Sequence, residues 1–282
     1  IAEFKIINGI LDTFVNTITG AIDAVHDFDD ALIDFKKVSD LTGTSLEDYT
    51  QKLADLGEIT GRTMTEMVQA ATQFKQAGYS DEDSAQLAKA ATMLQNISDK
   101  EISAADASSF IISQLKAFSK ELGAVGDVGD QTMKVMDSLN EVSNNYAVSS
   151  SDLESGLQNV SATMASGGNT MEQTIGMLTA MVEVTRSANK SSRGLRQIVS
   201  RLTQTLDEES KTGGNLTKIY EELGISLKGS DGQIRSTYDI LSDLSKQWNS
   251  LSKNQQQYIA LTSAGSNQVL RNYGVEYVVI YI

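Results

Sequence analysis

The stretch from Leu223 to Gln268, LGISLKGSDGQIRSTYDILSDLSKQWNSLSKNQQQYIALTSAGSNQ, decides the fold. Ile225–Leu227 and Gln233–Arg235 flank Gly229-Ser230-Asp231-Gly232, and the Asp-Gly turn between them predicts a small β-hairpin near 225–235. Tyr238, Leu241, Leu244, Trp248 and Leu251 then recur every three or four residues, the stripe of an amphipathic helix, with Ser236 or Thr237 placed to cap it. A polar, Gln-rich connection and a small-residue Ala264-Gly265-Ser266 motif follow. No part of this string carries catalytic chemistry.

The rest of the chain obeys the same helical period. Its 282 residues contain 40% hydrophobic and only 6% aromatic residues, so the core is built from Leu, Ile, Val, Met and Ala, which favours helix packing over a β-sandwich. Proline is absent, so no long helix meets an internal breaker. Phe4, Ile7, Leu11, Val15, Ile18, Ile22 and Val25 form one stripe, and Phe28, Leu32, Phe35 and Val38 extend it towards Asp40. Glu3, Lys5, Asp12 and Asp23 interrupt its apolar run, which makes this segment amphipathic and not transmembrane. The start at Ile1 reads as that of a fragment or processed piece.

After Gly43 shorter helices follow, and several starts show the capping-box spacing of a hydroxyl and an acid three residues on. Thr44 with Glu47, Thr63 with Glu66, Ser98 with Glu101 and Ser151 with Glu154 fit it; Ser80 with Asp83 and Asn169 before Glu172 are weaker versions. The chain therefore divides into a long amphipathic helix (1–43), a first helical hairpin unit (44–122) and a second (130–206) across the Gly-rich loop 123–129. Gly213-Gly214 within Lys211–Asn215 reads as a turn, the β-hairpin and C-terminal helices occupy 215–271, and an atypical tail fills 272–282. The fold class is all-α: elongated helical hairpins or a bundle with one small β-hairpin.

Charge and residue type exclude several functions. A net charge of −14 opposes tight binding of duplex DNA. There is no cysteine, and His26 is the only histidine, which rules out multi-histidine zinc sites and leaves any Ser-His-Asp arrangement dependent on this one residue of an amphipathic helix. Asp23, Asp27, Asp29, Asp30 and Asp34 lack the alternating ligands and central glycine of a calcium loop, and successive acids on a helix point in different directions, so they read as a solvated acidic face. No phosphate-binding glycine loop is present. No catalytic, cofactor-binding or metal-ligating residue is expected.

One segment reverses the charge. Arg186, Lys190, Arg193, Arg196 and Arg201 follow one another with no acid between Val184 and Leu206. No aromatic lies among them to stack on bases, so they are candidates for protein interaction, with acidic helices of this chain or of another copy. Trp248 joins them as a candidate contact, although its helical spacing is read most simply as core.

From Phe28 onward the ordered motifs resemble the core region of the tail tape measure family of long-tailed phages and prophages. They are Phe28-Asp29-Asp30-Ala31, Ala77-Gly78-Tyr79-Ser80, Val184-Thr185-Arg186-Ser187, Leu195 to Leu202, Leu223 to Leu227, Tyr238 to Leu241, Trp248 and Ala264-Gly265-Ser266. The resemblance implies a structural protein of the tail-tube lumen, resident in the host cytoplasm during assembly, that scaffolds the tube and sets its length. It also implies a part in genome ejection, and the partners it implies are further copies of the chain, the tail tube protein and tail assembly chaperones. Membrane contact is expected only during infection. After Ala264-Gly265-Ser266 this sequence departs from the family, passing abruptly to the apolar VEYVVIYI at its end. Two alternatives of other classes are a peptidoglycan-degrading tail enzyme fragment, which needs an acid in an apolar cleft, and a membrane-active helical protein using the Ile1–Val25 stripe.

Overall fold

A computed structural model describes residues 23–207 and 209–265. Helices dominate them, and no strand occurs among them. The described residues form two compact units, one from 23–96 together with Ile102–Ser109, the other from Ile97–Glu101 and from Phe110 to Gly265.

The first unit is built from α1 (described over 23–36), α2 (Gly43–Thr60), α3 (Met64–Gln76), α4 (Asp81–Ile97) and the start of α5 (Ala104–Ala117). Its core is aliphatic with a few rings: Phe35, Leu53, Met67, Phe74, Leu87 and Leu94 are wholly buried. Phe35 stacks on Tyr49 with ring centroids 5.1 Å apart, fastening α1 to α2. Most of the long stripe expected over 1–43 lies outside the described residues, and its described part stops as a helix at residue 36.

The second unit continues with α6 (Ser119–Leu122), α7 (Val128–Asn145), α8 (Ser150–Ser166), α9 (Met171–Thr185) and α10 (Ala188–Thr203). A 3-10 turn (Gln204–Leu206), α11 (Lys211–Glu222), α12 (Thr237–Trp248) and α13 (Lys253–Ala264) complete it. Helices α8, α9 and α10 pack mutually at its centre, α7 lies on α8 and α9, and α11, α12 and α13 pack against α10. Glycine permits the closest approaches. A Cβ on Gly156 would sit 2.7 Å from Leu178 Cδ2 of α9, and one on Gly167 would sit 2.6 Å from Val199 Cγ1 of α10.

Two expectations from sequence are corrected. The hairpin near 225–235 is a tight loop closed by a single antiparallel bridge, Lys228 to Ile234, with the Gly229 N–H donating to the Gln233 carbonyl at 2.9 Å. Ile225 and Leu227 turn inward and α12 starts two residues after Arg235, so too few residues remain to extend a two-stranded ladder that would be marginal in isolation. Residues 211–215 begin α11 instead of forming a turn. Ser210 caps that helix through the Gly213 N–H at 3.1 Å, and Gly213 is needed because a Cβ there would collide with the Gln204 carbonyl. The glycine marks a close approach, not a break.

Helix starts follow the predicted chemistry with small shifts of frame. Thr63 and Glu66 form their capping box, and Ser80 accepts from the Asp83 N–H at 3.0 Å. Elsewhere a neighbouring hydroxyl takes the role: Thr42 for α2, Ser103 for α5, Ser149 for α8 and Thr170 for α9. Asn169 is displaced from capping and buried, with its carbonyl oxygen accepting the Tyr238 N–H at 2.9 Å, which ties the α8–α9 turn to the start of α12.

Candidate interaction surfaces

Helix α10 has two faces of opposite character because its apolar and charged residues alternate at helical period. Leu195, Ile198, Val199 and Leu202 are buried against the neighbouring helices. Lys190, Arg193 and Arg196 are exposed and take part in no ion pair among the described residues. These three lie within about 120° of arc around the helix, at its 3.6-residue repeat. Arg193 donates from Nε to its own helix, to the Asn189 carbonyl at 2.9 Å, leaving its outer nitrogens free to reach a partner.

The other candidates do different work. Arg186 closes α9 in a left-handed conformation (φ 51°) and its Nη1 donates to the Ala147 carbonyl at 2.9 Å. Arg201 is half-buried and donates to the Thr262 carbonyl at 3.0 Å, fastening α10 to the end of α13. Trp248 is corrected as a surface contact: it is 3% exposed at the end of α12, and its backbone carbonyl accepts from Gln256 at 2.7 Å. The expected basic surface thus contracts to Lys190, Arg193 and Arg196.

In the first unit the acids of α1 are better ordered than the sequence reading allowed. Asp23, Asp27, Asp30 and Asp34 are spaced 4, 3 and 4 residues apart, which places them within about 60° of arc on one helix. All four are exposed, while Ala31 and Phe35 occupy the core side. Asp27, Asp30 and Asp34 form one wall of an open groove of about 830 Å³, and Gln69, Gln73 and Gln76 of α3 line the other. Only Asp29 points elsewhere. The i, i+4, i+7, i+11 spacing was the signal for this shared face. Among the described residues no group of three or more His, Cys, Asp or Glu could hold a metal ion.

Two carboxylate clusters bear on acid–base chemistry. Glu154, in the first turns of α8, is 6% exposed, and its Oε1 has no hydrogen-bond partner among the described residues. Burial, aided by the nearby Asp99 carboxylate, pushes it up to about 7. Asp99 behaves oppositely: partial burial opposes ionisation, but bonds from the Ser151 N–H (2.9 Å) and the Ser150 hydroxyl (2.8 Å) hold it down at about 2. An acid raised beside an acid lowered is the pairing a glycosidase uses, yet a glycan cannot reach a carboxyl this enclosed.

In the second cluster Glu121 accepts the Met171 N–H at 2.9 Å, and Lys134 pairs with Glu172 at 2.6 Å. Burial and the neighbouring Glu172 raise Glu121. Glu172 is held at about 2 against burial by bonds from Glu121 and Lys134.

Among the described residues no helix is long and apolar enough to cross a membrane. Compared with known proteins, residues 50–265 match the profile of a family described as phage-related minor tail protein. No solved structure matches the chain.

Proposed function

Because the chain belongs to the phage-related minor tail protein family, and so has a structural role in a phage tail, we propose that it is the tape measure of that tail. In this reading it occupies the tube lumen, scaffolds polymerisation of the tube protein and sets tail length without catalysis in this segment. The observation that carries the reading is a family match over residues 50–265, in which helices dominate the described residues, in a chain with no proline. A helix advances ~1.5 Å per residue, so these helices, drawn out end to end in the lumen from the packed units, would turn residue number into distance.

Lumenal placement suits the electrostatics. A net charge of −14 keeps the chain from adhering to the genome that passes through the same space. Further copies of the chain, the tube protein and assembly chaperones are the partners in this scheme, and departure ahead of the genome at infection follows from occupying its path. The test is an in-frame deletion of α7 to α10 in the phage genome. Virions with proportionately shorter tails by electron microscopy support the reading; unchanged tail length overturns it.

A further inference from the structure

We propose that the exposed basic face of α10 docks on the acidic stripe of α1 in a second copy of the same chain. The inference deepens the tail role above and rests on it only for the place where copies meet.

Helix α10 leaves one of its faces unused inside its own unit. Its apolar face is consumed by packing on α8, α9, α11, α12 and α13, while Lys190, Arg193 and Arg196 point outward without ion-pair partners among the described residues. The whole of α10 contains four cations and no acid. In a protein of net charge −14, such a face is drawn to the protein's own kind more readily than to phosphate. It also lacks any aromatic residue on which a base could stack.

The complementary face is on α1. Helix α1 presents Asp23, Asp27, Asp30 and Asp34 in one exposed stripe about 16 Å long at ~1.5 Å per residue. The exposed face of α10 from Lys190 to Ser200 runs about 15 Å on the same measure. Spacings agree closely over the charged part: Lys190 and Arg193 step by three, as do Asp27 and Asp30, and Arg196 follows on the same face as Asp34 does, the latter already paired with Lys37 at 2.6 Å. Two helices with this common register can lie side by side with opposite charges facing along the seam. The groove beside α1, walled by Gln69, Gln73 and Gln76, offers amides to the rim of the docked helix.

The two faces are on different elements, so the contact is heterologous. A copy engaged through α10 still offers its α1, and one engaged through α1 still offers its α10. Contacts of that kind propagate from copy to copy instead of closing as a symmetric dimer.

The test uses the full 282-residue chain in sedimentation velocity over a range of concentrations, in ~20 mM and ~0.5 M salt. Association that rises with concentration and weakens in high salt is expected. Arg193→Glu with Arg196→Glu, and separately Asp27→Lys with Asp30→Lys, should each weaken it about tenfold or more, since like charges would then face one another. Mixing the two reversed proteins should restore association, because the inverted pair is again complementary. The neutral variant Arg193→Gln with Arg196→Gln gives a smaller loss and guards against misfolding of the reversed ones. A wild-type chain that stays monomeric throughout, or reversed variants that associate like wild type, overturns the proposal. It is also overturned if the Arg variants lose binding to a short DNA duplex while self-association persists. None of these results changes tail length, so this proposal and the tape measure reading fail separately.

Discussion

Helix α8 has two ends that do opposite things. Along most of its length Leu157, Val160 and Met164 are buried, and Gly156 lets α9 approach until Leu178 fills the missing side chain. At its first turns Asp99 and Ser149 satisfy the orphan backbone N–H groups, and Glu154 is buried with one carboxyl oxygen unpaired. The apolar seam stabilises at every pH. The contribution of the polar end depends on pH, because burial of Glu154 is favourable only while it holds its proton. One helix therefore separates unconditional from conditional stability, and substitutions along it should separate the two.

The largest effect is expected in the seam. Leu157→Ala should cost about 3 kcal/mol through lost burial and the cavity left behind, read as a drop in urea midpoint by the fluorescence of Trp248, the only tryptophan in the chain. Gly156→Val should cost about 2 kcal/mol by overpacking Leu178. Both losses should be the same at pH 5 and pH 8. A pH-dependent loss at either position would erase the contrast.

At the polar end the sign reverses. Glu154 is raised from 4.5 to about 7, so between these values the folded state binds more protons than the unfolded state. Stability should fall as pH rises through that window and level off above it. Glu154→Gln should remove the slope and gain roughly 1–2 kcal/mol at pH 8. A wild-type protein with flat stability between pH 5 and pH 7.5 would contradict this.

Asp99 gives a smaller and opposite dependence. Its carboxyl is lowered from 3.8 to about 2, so its contribution is present above 3.8 and disappears as pH falls through 2. Asp99→Asn should cost about 1 kcal/mol at pH 7, the usual worth of a charged cap, and the cost should shrink as pH falls and vanish below pH 2. Smallest of all, Arg193→Gln on the outward face of α10 should shift stability by less than about 0.5 kcal/mol, as exposed substitutions do. Any larger loss would mean that this face already has a partner within the folded chain.

Much of the architecture was legible because helical period and hydroxyl caps are local. The α3 box of Thr63 and Glu66 and the stripe that became α12 were both readable in the chain. Cap frames slipped where hydroxyls cluster: Ser149, Ser150 and Ser151 offer three registers, and only tertiary position selects Ser149 as the cap. Gly213 misled because a glycine demanded by contact with the Gln204 carbonyl looks the same in sequence as one that ends a helix. The basic run from Arg186 to Arg201 was visible, but which of its members packing would absorb was not, since the Arg201–Thr262 bond joins residues far apart in the chain. The acidic stripe of α1 was readable from its spacing and was passed over for adjacent acids that diverge.

The central claim is that this helical chain is a ruler inside the tail. The most direct measurement is tail length across a series of phages carrying graded in-frame deletions and duplications of whole helices between α2 and α13. A straight line with a slope of ~1.5 Å per residue is predicted. Tails of one length across the series, with infectivity alone changing, would contradict it.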